Sequence, residues 1–200
     1  HHKPMPPPIL RACRMKSLLN LSDLPVGAPL RADDVVEFHA ARLLLLLRVC
    51  GVKGRIDGLT KLAKLDFFVR YPDFFARVSN RLPGGLAGEQ PRRLPESLMV
   101  RHHYGPWDKR YYHVLAYLEA RGLVQIDQGP HRSYGFSLTT LGASRAARLQ
   151  QDASFHLLVD QMRLVKRAFG AWKGSRLKAL IYDLFDEDVA ARPLGQVIAP

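Results

Sequence analysis

Cysteine is nearly absent from this chain: 200 residues hold two, Cys13 and Cys50. They stand at no metal-binding spacing and can close one bridge at most. Neither a zinc module nor a disulfide scaffold is expected, and a reducing cytosol is the simple setting. Acidic residues are scarce as well, 18 against 30 lysines and arginines, which leaves a net charge of +12. That balance favours an anionic partner without naming it, and nucleic acid leads. Long apolar runs are missing. Leu43 to Leu47 is the longest, far short of the ~20 residues that cross a bilayer, so no membrane partner is expected. Arg11, Arg14, Lys16, Asn20 and Asp23 interrupt Ile9 to Leu30, which argues against a secretory signal. The opening His1-His2 pair reads as a tag remnant.

Catalytic phrases are also missing. Gly84-Gly85-Leu86-Ala87-Gly88-Glu89 is rich in glycine but lacks the Lys-Ser/Thr that a P-loop needs to hold phosphates. No serine elbow, paired-carboxylate phrase or zinc signature occurs. Asp73 and Glu89 have no lysine at nuclease spacing. His102, His103 and His113 have no carboxylate or cysteine at ligand spacing. The chain therefore reads as a non-enzyme, with no catalytic residue, no metal and no cofactor.

What the chain does hold is an ordered run of signals from Tyr104 to Gln150. Gly105-Pro106 is expected to open a helix, since proline is tolerated where no intrahelical N–H bond is needed. Asp108 then suits the positive end of the helix dipole. Trp107, Tyr111, Val114, Leu115 and Leu118 recur at helical spacing and form an inner face. Lys109, Arg110, His113, Ala116 and Ala120 fall outside it. Gly122 ends the helix, where a left-handed residue is wanted. Leu123 to Asp127 reads as a short strand and Gly129-Pro130 as its turn. Tyr134, Phe136 and Leu138 alternate with Ser133, Gly135 and Ser137 as the return strand. Thr139 or Thr140 caps a helix through Gln150.

The remainder is mostly helical. Residues 1–32 are rich in proline and read as an arm. Asp33 or Asp34 caps a helix to about Cys50, whose run Leu43–Leu47 is apolar all round. Such a helix is buried on several sides or pressed against a partner, which makes Leu44 and Leu46 candidate contacts. Asp57 or Thr60 starts the next helix, with Leu59, Leu62, Leu65 and Val69 inward and Lys61 and Lys64 outward. Tyr71-Pro72 ends it and opens a short helix that buries Phe74, Phe75 and Val78. Residues 82–97 form a long loop, and loops of this length carry function or disorder. Phe155, Leu158, Met162, Val165 and Phe169 follow a three-and-four spacing that suits a dimer or partner helix as well as a core face. Ser175 caps a last helix with Leu177, Leu180, Ile181 and Leu184 on one face. The expected plan is an arm at 1–32, a domain at 33–150 with an insertion near 82–103, and C-terminal helices with a tail at 151–200.

Leu115, Leu118, Gly122, Leu123 and Val124, with Arg132, Tyr134, Leu138, Thr139 and Gly142, resemble the winged helix-turn-helix superfamily, including PadR-like and MarR-like bacterial proteins. The expected fold class is then mostly α with a small β-hairpin, an α+β winged helix with an N-terminal arm and a C-terminal helical extension. Two further phrases run from Gly54 to Phe68 and on through Arg70-Tyr71-Pro72, and from Tyr104 to Asp108. Together they resemble small winged-helix proteins encoded beside bacterial SMC-like ABC ATPases. Those are the middle components of three-component anti-phage systems such as Lamassu. This resemblance implies a non-catalytic subunit that binds the ATPase and touches DNA.

In helix-turn-helix docking one helix enters the major groove and the preceding one crosses the phosphate backbone. Lys109, Arg110 and His113 are the candidate groove residues. Lys61 and Lys64, with Arg55, are the candidate backbone contacts, and His131 and Arg132 stand at the wing tip. A solvated helix face is the plain alternative for each. Three functions follow: an accessory subunit of an SMC-like ATPase that contacts double-stranded DNA, a homodimeric transcription regulator with residues 155–169 as its seam, and an adaptor that binds protein alone.

Overall fold

The computed structural model describes residues 35–80, 100–102, 105–129 and 133–185. The proline-rich arm, most of the 82–103 loop, Leu184's side chain, and the wing-tip residues His131 and Arg132 lie outside the described residues. The rest is mostly helical with a small antiparallel sheet, an α+β fold. In chain order the elements are α1 (Val36–Cys50), β1 (Arg55–Asp57), α2 (Leu59–Arg70), α3 (Pro72–Ser79), β2 (Val100–His102) and β3 (Gly105–Trp107). They continue with α4 (Arg110–Ala120), β4 (Val124–Gln128), β5 (Tyr134–Leu138), α5 (Thr140–Gln151), α6 (His156–Phe169) and α7 (Gly174–Phe185).

The five-leucine run sits on a central helix. Helix α1 packs against α2, α4, α5, α6 and the sheet, so leucines on all its sides find cover, and Leu43, Leu45, Leu46 and Leu47 have no exposed surface. Leu44 and Leu46 are therefore core residues of this chain and not contacts for a partner. The same correction applies to the later stripe. Leu158, Met162, Val165 and Phe169 are buried in the same core and Phe155 packs partly buried at its edge. Phe169 sets its ring against Phe68 of α2, with centroids 4.6 Å apart, and against Phe75 of α3 at 5.8 Å. The core thus runs without a break across residue 150, and α6 and α7 belong to it rather than extend from it.

Strands β1, β5 and β4 form the main sheet in that order, all antiparallel. Asp57 is the last residue of β1, not a helix cap, and α2 follows Gly58, whose φ of 92° only glycine adopts at ease. Pro72 opens α3 at its first turn. One sequence expectation fails at Gly105-Pro106. This pair does not open α4 but lies in β3, which pairs with β2 through Arg101 opposite Pro106. Proline is tolerated there because a two-stranded ribbon has free edges. Trp107 ends that strand and so lies outside α4.

The join between α4, the hairpin and α5 is built tightly. Gly122 takes φ 64° and turns the chain from α4 into β4. Thr139 Oγ1 accepts from Gly142 N at 3.0 Å and caps α5. It also donates to Gly122 O at 2.6 Å. Gly142 lies so close to β4 that a Cβ there would come 1.8 Å from Leu123 O. Carbonyl and helix backbone cannot both give way. Gly142→Ala should lower stability by about 3 kcal/mol, read as a lower urea midpoint with an unchanged slope.

Candidate nucleic-acid interface

Helix α4 is positioned by a buried ring of charged and polar side chains. Asp66 of α2 accepts from Arg42 Nε of α1 at 2.9 Å and from the Tyr111 hydroxyl of α4 at 2.6 Å. Arg42 Nη1 also meets His39 Nδ1 at 2.9 Å, and the other His39 nitrogen meets Arg110 Nη1 at 2.9 Å. A neutral imidazole has one acceptor nitrogen, so one of these two contacts at a time is a hydrogen bond. Arg110 in turn grips Asp108 through Nε and Nη2, at 2.9 and 2.7 Å. Arg70 of α2 closes the ring, donating to Asp108 Oδ2 at 2.8 Å. Asp108 also accepts from the Arg110 backbone N–H at 3.0 Å, which caps the start of α4.

Electrostatics follow from this geometry. Burial alone would raise the Asp108 carboxyl, but the Arg110 hydrogen bonds and the Arg70 charge outweigh it and hold the group well below the usual carboxylate range. Burial pushes the Tyr111 hydroxyl well up, with the Asp66 charge adding to it. Tyr111 is therefore a structural donor, sealed in the core.

The outer face of α4 is what remains. Lys109, His113, Ala116, Glu119 and Ala120 are exposed, and Tyr112 is 62% exposed. Glu119 turns one oxygen back to Ile126 N at 3.3 Å. Arg121 lies over the Tyr117 ring, 5.0 Å from its centroid. Lys109 and His113 thus stay together on an open face beside an exposed ring that the charge argument had not singled out. Of the three tyrosines that the sequence places on this helix, Tyr111, Tyr112 and Tyr117, an exposed one suits a protein interface as well as a base, and Tyr112 is that ring.

Several candidate contacts are placed elsewhere. Arg110 is half-buried and bound to Asp108. Arg55 is fixed between Asp57 and Asp127, each at 2.7 Å, where it braces β1 against β4 across β5. Its hydrogen bond holds Asp127 below the ordinary carboxylate value. Lys61 Nζ donates to Gly170 O at 2.8 Å, capping the negative end of α6. Lys64 has no exposed surface at all. Helical spacing put it outward, but α6 and α7 both pack on α2 and the side chain is wholly buried, so it cannot reach a phosphate. Cys50 is also buried, donating weakly to Met162 O at 3.4 Å, and burial pushes its thiol up to about 12, which makes it inert as a nucleophile or ligand.

Among the described residues no group of three or more His, Cys, Asp and Glu side chains is placed to hold a metal. No helix among them is long and apolar enough to cross a membrane. In comparisons with protein-family models, curated proteins and solved structures, nothing matches this chain.

Two outcomes follow from the buried charges. Asp108→Asn should cost about 3 kcal/mol, since it removes the negative charge that Arg70 and Arg110 both bond. The depressed carboxyl of Asp108 contributes stability above the unfolded value near 3.8, and that contribution is lost as pH falls through the lower folded value. The variant should therefore show a flatter acid limb in urea titrations. Lys64 has the opposite sense. Burial, with repulsion from Lys178, lowers its ammonium from 10.5 to about 7. Below pH 7 folded and unfolded chains both carry the proton, and the cost of holding it in the fold is at its greatest. From about 7 upward the folded chain sheds it first, so stability climbs. Lys64→Met should add about 4 kcal/mol at pH 7 and far less at pH 10, measured by urea unfolding at both values.

Proposed function

We propose that the chain is a non-catalytic winged-helix protein that binds double-stranded DNA through α4. The observation that carries this reading is the placement of α4. It directly precedes the β4–β5 hairpin, its inner face is locked by the buried ring, and Lys109, Tyr112 and His113 stand open on its outer face. The order α1, β1, α2, α4, β4, β5 with sheet order β1-β5-β4 supports the winged-helix assignment. The net charge of +12 supports an anionic partner. On this reading Lys109 neutralises phosphate, and His113 and Tyr112 meet the groove wall or a base edge.

Membership of an SMC-like ATPase complex is the role that fits best with a non-catalytic DNA-binding subunit. The two phrases that resemble such subunits come together here: Arg70 from the first grips Asp108 from the second. The homodimeric regulator has lost its main support, since the face formed by Leu158, Met162, Val165 and Phe169 is taken up by the chain's own core.

Anisotropy titrations of a labelled duplex over a range of salt test the DNA reading. Lys109→Ala should weaken binding and lower the salt slope by about one unit. Arg110→Ala is a poor test, because it also releases Asp108. Unchanged affinity and slope in Lys109→Ala and His113→Ala together would remove α4 from the interface. Co-elution of the untagged chain with an ATPase from its genomic neighbourhood tests the subunit role, and elution as a lone homodimer would return the regulator to first place.

A further inference from the structure

A second basic feature lies away from α4. A cleft of about 550 Å³ opens between the end of α1, the turn before β1, and helices α5 and α6. Arg48, Lys53, Arg163 and Lys166 line it, together with Gln150, and no carboxylate does. No residue of α4 takes part. Gly54 and Leu138, which also line it, are joined by Leu138 N donating to Gly54 O at 3.0 Å. They mark the end of the sheet opposite the hairpin tip, four residues along β5 and about 13 Å away.

The cations here are only lightly neutralised by neighbouring side chains. Arg48 Nε donates to Gln150 Oε1 at 2.6 Å, which fixes both side chains and leaves the Gln150 amide NH₂ as a further donor. Arg163 has a counter-charge, Asp160 at 2.8 Å, but both are more than half exposed, so the pair is weak. The side chains of Lys53 and Lys166 have no ion-pair or hydrogen-bond partner among the described residues. Lys53 is also in an unusual backbone state. With φ 51° it is the one non-glycine residue at positive φ among those described, followed by Gly54 at 77°. Val52 and Arg55 exchange both backbone hydrogen bonds around this pair, at 2.9 and 3.0 Å. That is a two-residue hairpin turn, where asparagine before glycine is the relaxed choice. Lysine there is strained, and strain of this kind collects at binding sites.

We propose that this cleft binds phosphate groups, at a site separate from α4. Its lining has no aromatic ring to stack a base, so the recognised chemistry is the phosphate itself, from either a free polyphosphate or a nucleic-acid backbone. Guanidinium forks and ammonium groups suit tetrahedral oxyanions, and the volume admits two or three linked phosphates.

Calorimetric titration of the full chain with inorganic tripolyphosphate at low salt tests this. The wild type should bind in a 1:1 ratio. Lys53→Asn and Lys166→Gln should each weaken binding by about fivefold, and Lys109→Ala should not. Lys53→Asn relaxes the turn, so its Tm should rise by about 2–4 °C while its affinity falls. That pairing separates lost binding from lost folding. No saturable binding by the wild type, equal weakening in Lys109→Ala, or full affinity in the double variant Lys53→Asn with Lys166→Gln would overturn the proposal. A duplex titration of the double variant then identifies the source. A shallower salt slope points to backbone phosphate, and an unchanged one to a free polyphosphate. Because Lys109→Ala reports on α4 alone, failure of one site is distinguishable from failure of the other.

Discussion

The carboxylate of Asp66 is the point on which three helices are hung. It sits in α2 with no exposed surface, and receives Arg42 from α1 and Tyr111 from α4. Through Arg42, His39 and Arg110 the same set of contacts reaches Asp108, and Arg70 returns it to α2. Taking these ions out of water is costly, and an apolar core of the same volume could be as stable. What the ring adds is direction. Leucines and phenylalanines would let α4 roll or slide, because dispersion contacts have no preferred angle. Two carboxylates, each reached by donors on other elements, admit one placement. The outer face of α4 is then defined by which of its residues the ring has already claimed.

This divides the positive charge of the chain into two kinds. Arg42, Arg70, Arg110, Lys61 and Arg55 are occupied inside the structure by carboxylates or a backbone carbonyl. Lys64 is wholly buried. None of these contributes a free charge to a surface. Among the described residues, the cations placed to meet an outside anion include Lys109 on α4 and the set around the cleft. A net charge is a sum over all of these, and only the second kind bears on what the chain binds.

Much of the fold was legible wherever a short segment carried its own instructions. The periodicity of Tyr111, Val114, Leu115 and Leu118, the glycine at 122, the alternation of Tyr134, Phe136 and Leu138 and the cap at Thr139 are all local, and α4 through α5 stands nearly as those residues indicate. Strand β1 was missed because three residues are too few to show alternation, and its pairing to β5 depends on a strand eighty residues later. Gly105-Pro106 was misplaced because the pair fits a helix start and a ribbon edge equally well. For Leu43–Leu47 and the Phe155–Phe169 stripe, burial was plain but its source was not, since helical spacing cannot tell a chain's own core from another chain's surface. Lys64 shows the same limit from the other side. The cleft was invisible for a different reason: its cations come from α1, the turn after it and α6, which are far apart in sequence and joined only by folding.

The central position of α1 has a consequence for how the chain is made. Its leucines are among the first described residues to be synthesised, yet part of their cover comes from α5 and α6. Cys50 reaches Met162 across 112 positions and Gln161 reaches Phe68 across 93. On the ribosome this apolar helix emerges before α5 and α6 and waits for partners encoded about a hundred codons downstream. Contacts of such long sequence separation form late, and apolar surface left open in the meantime invites aggregation. The five leucines that anchor the finished protein are thus the stretch of the nascent chain in most need of protection.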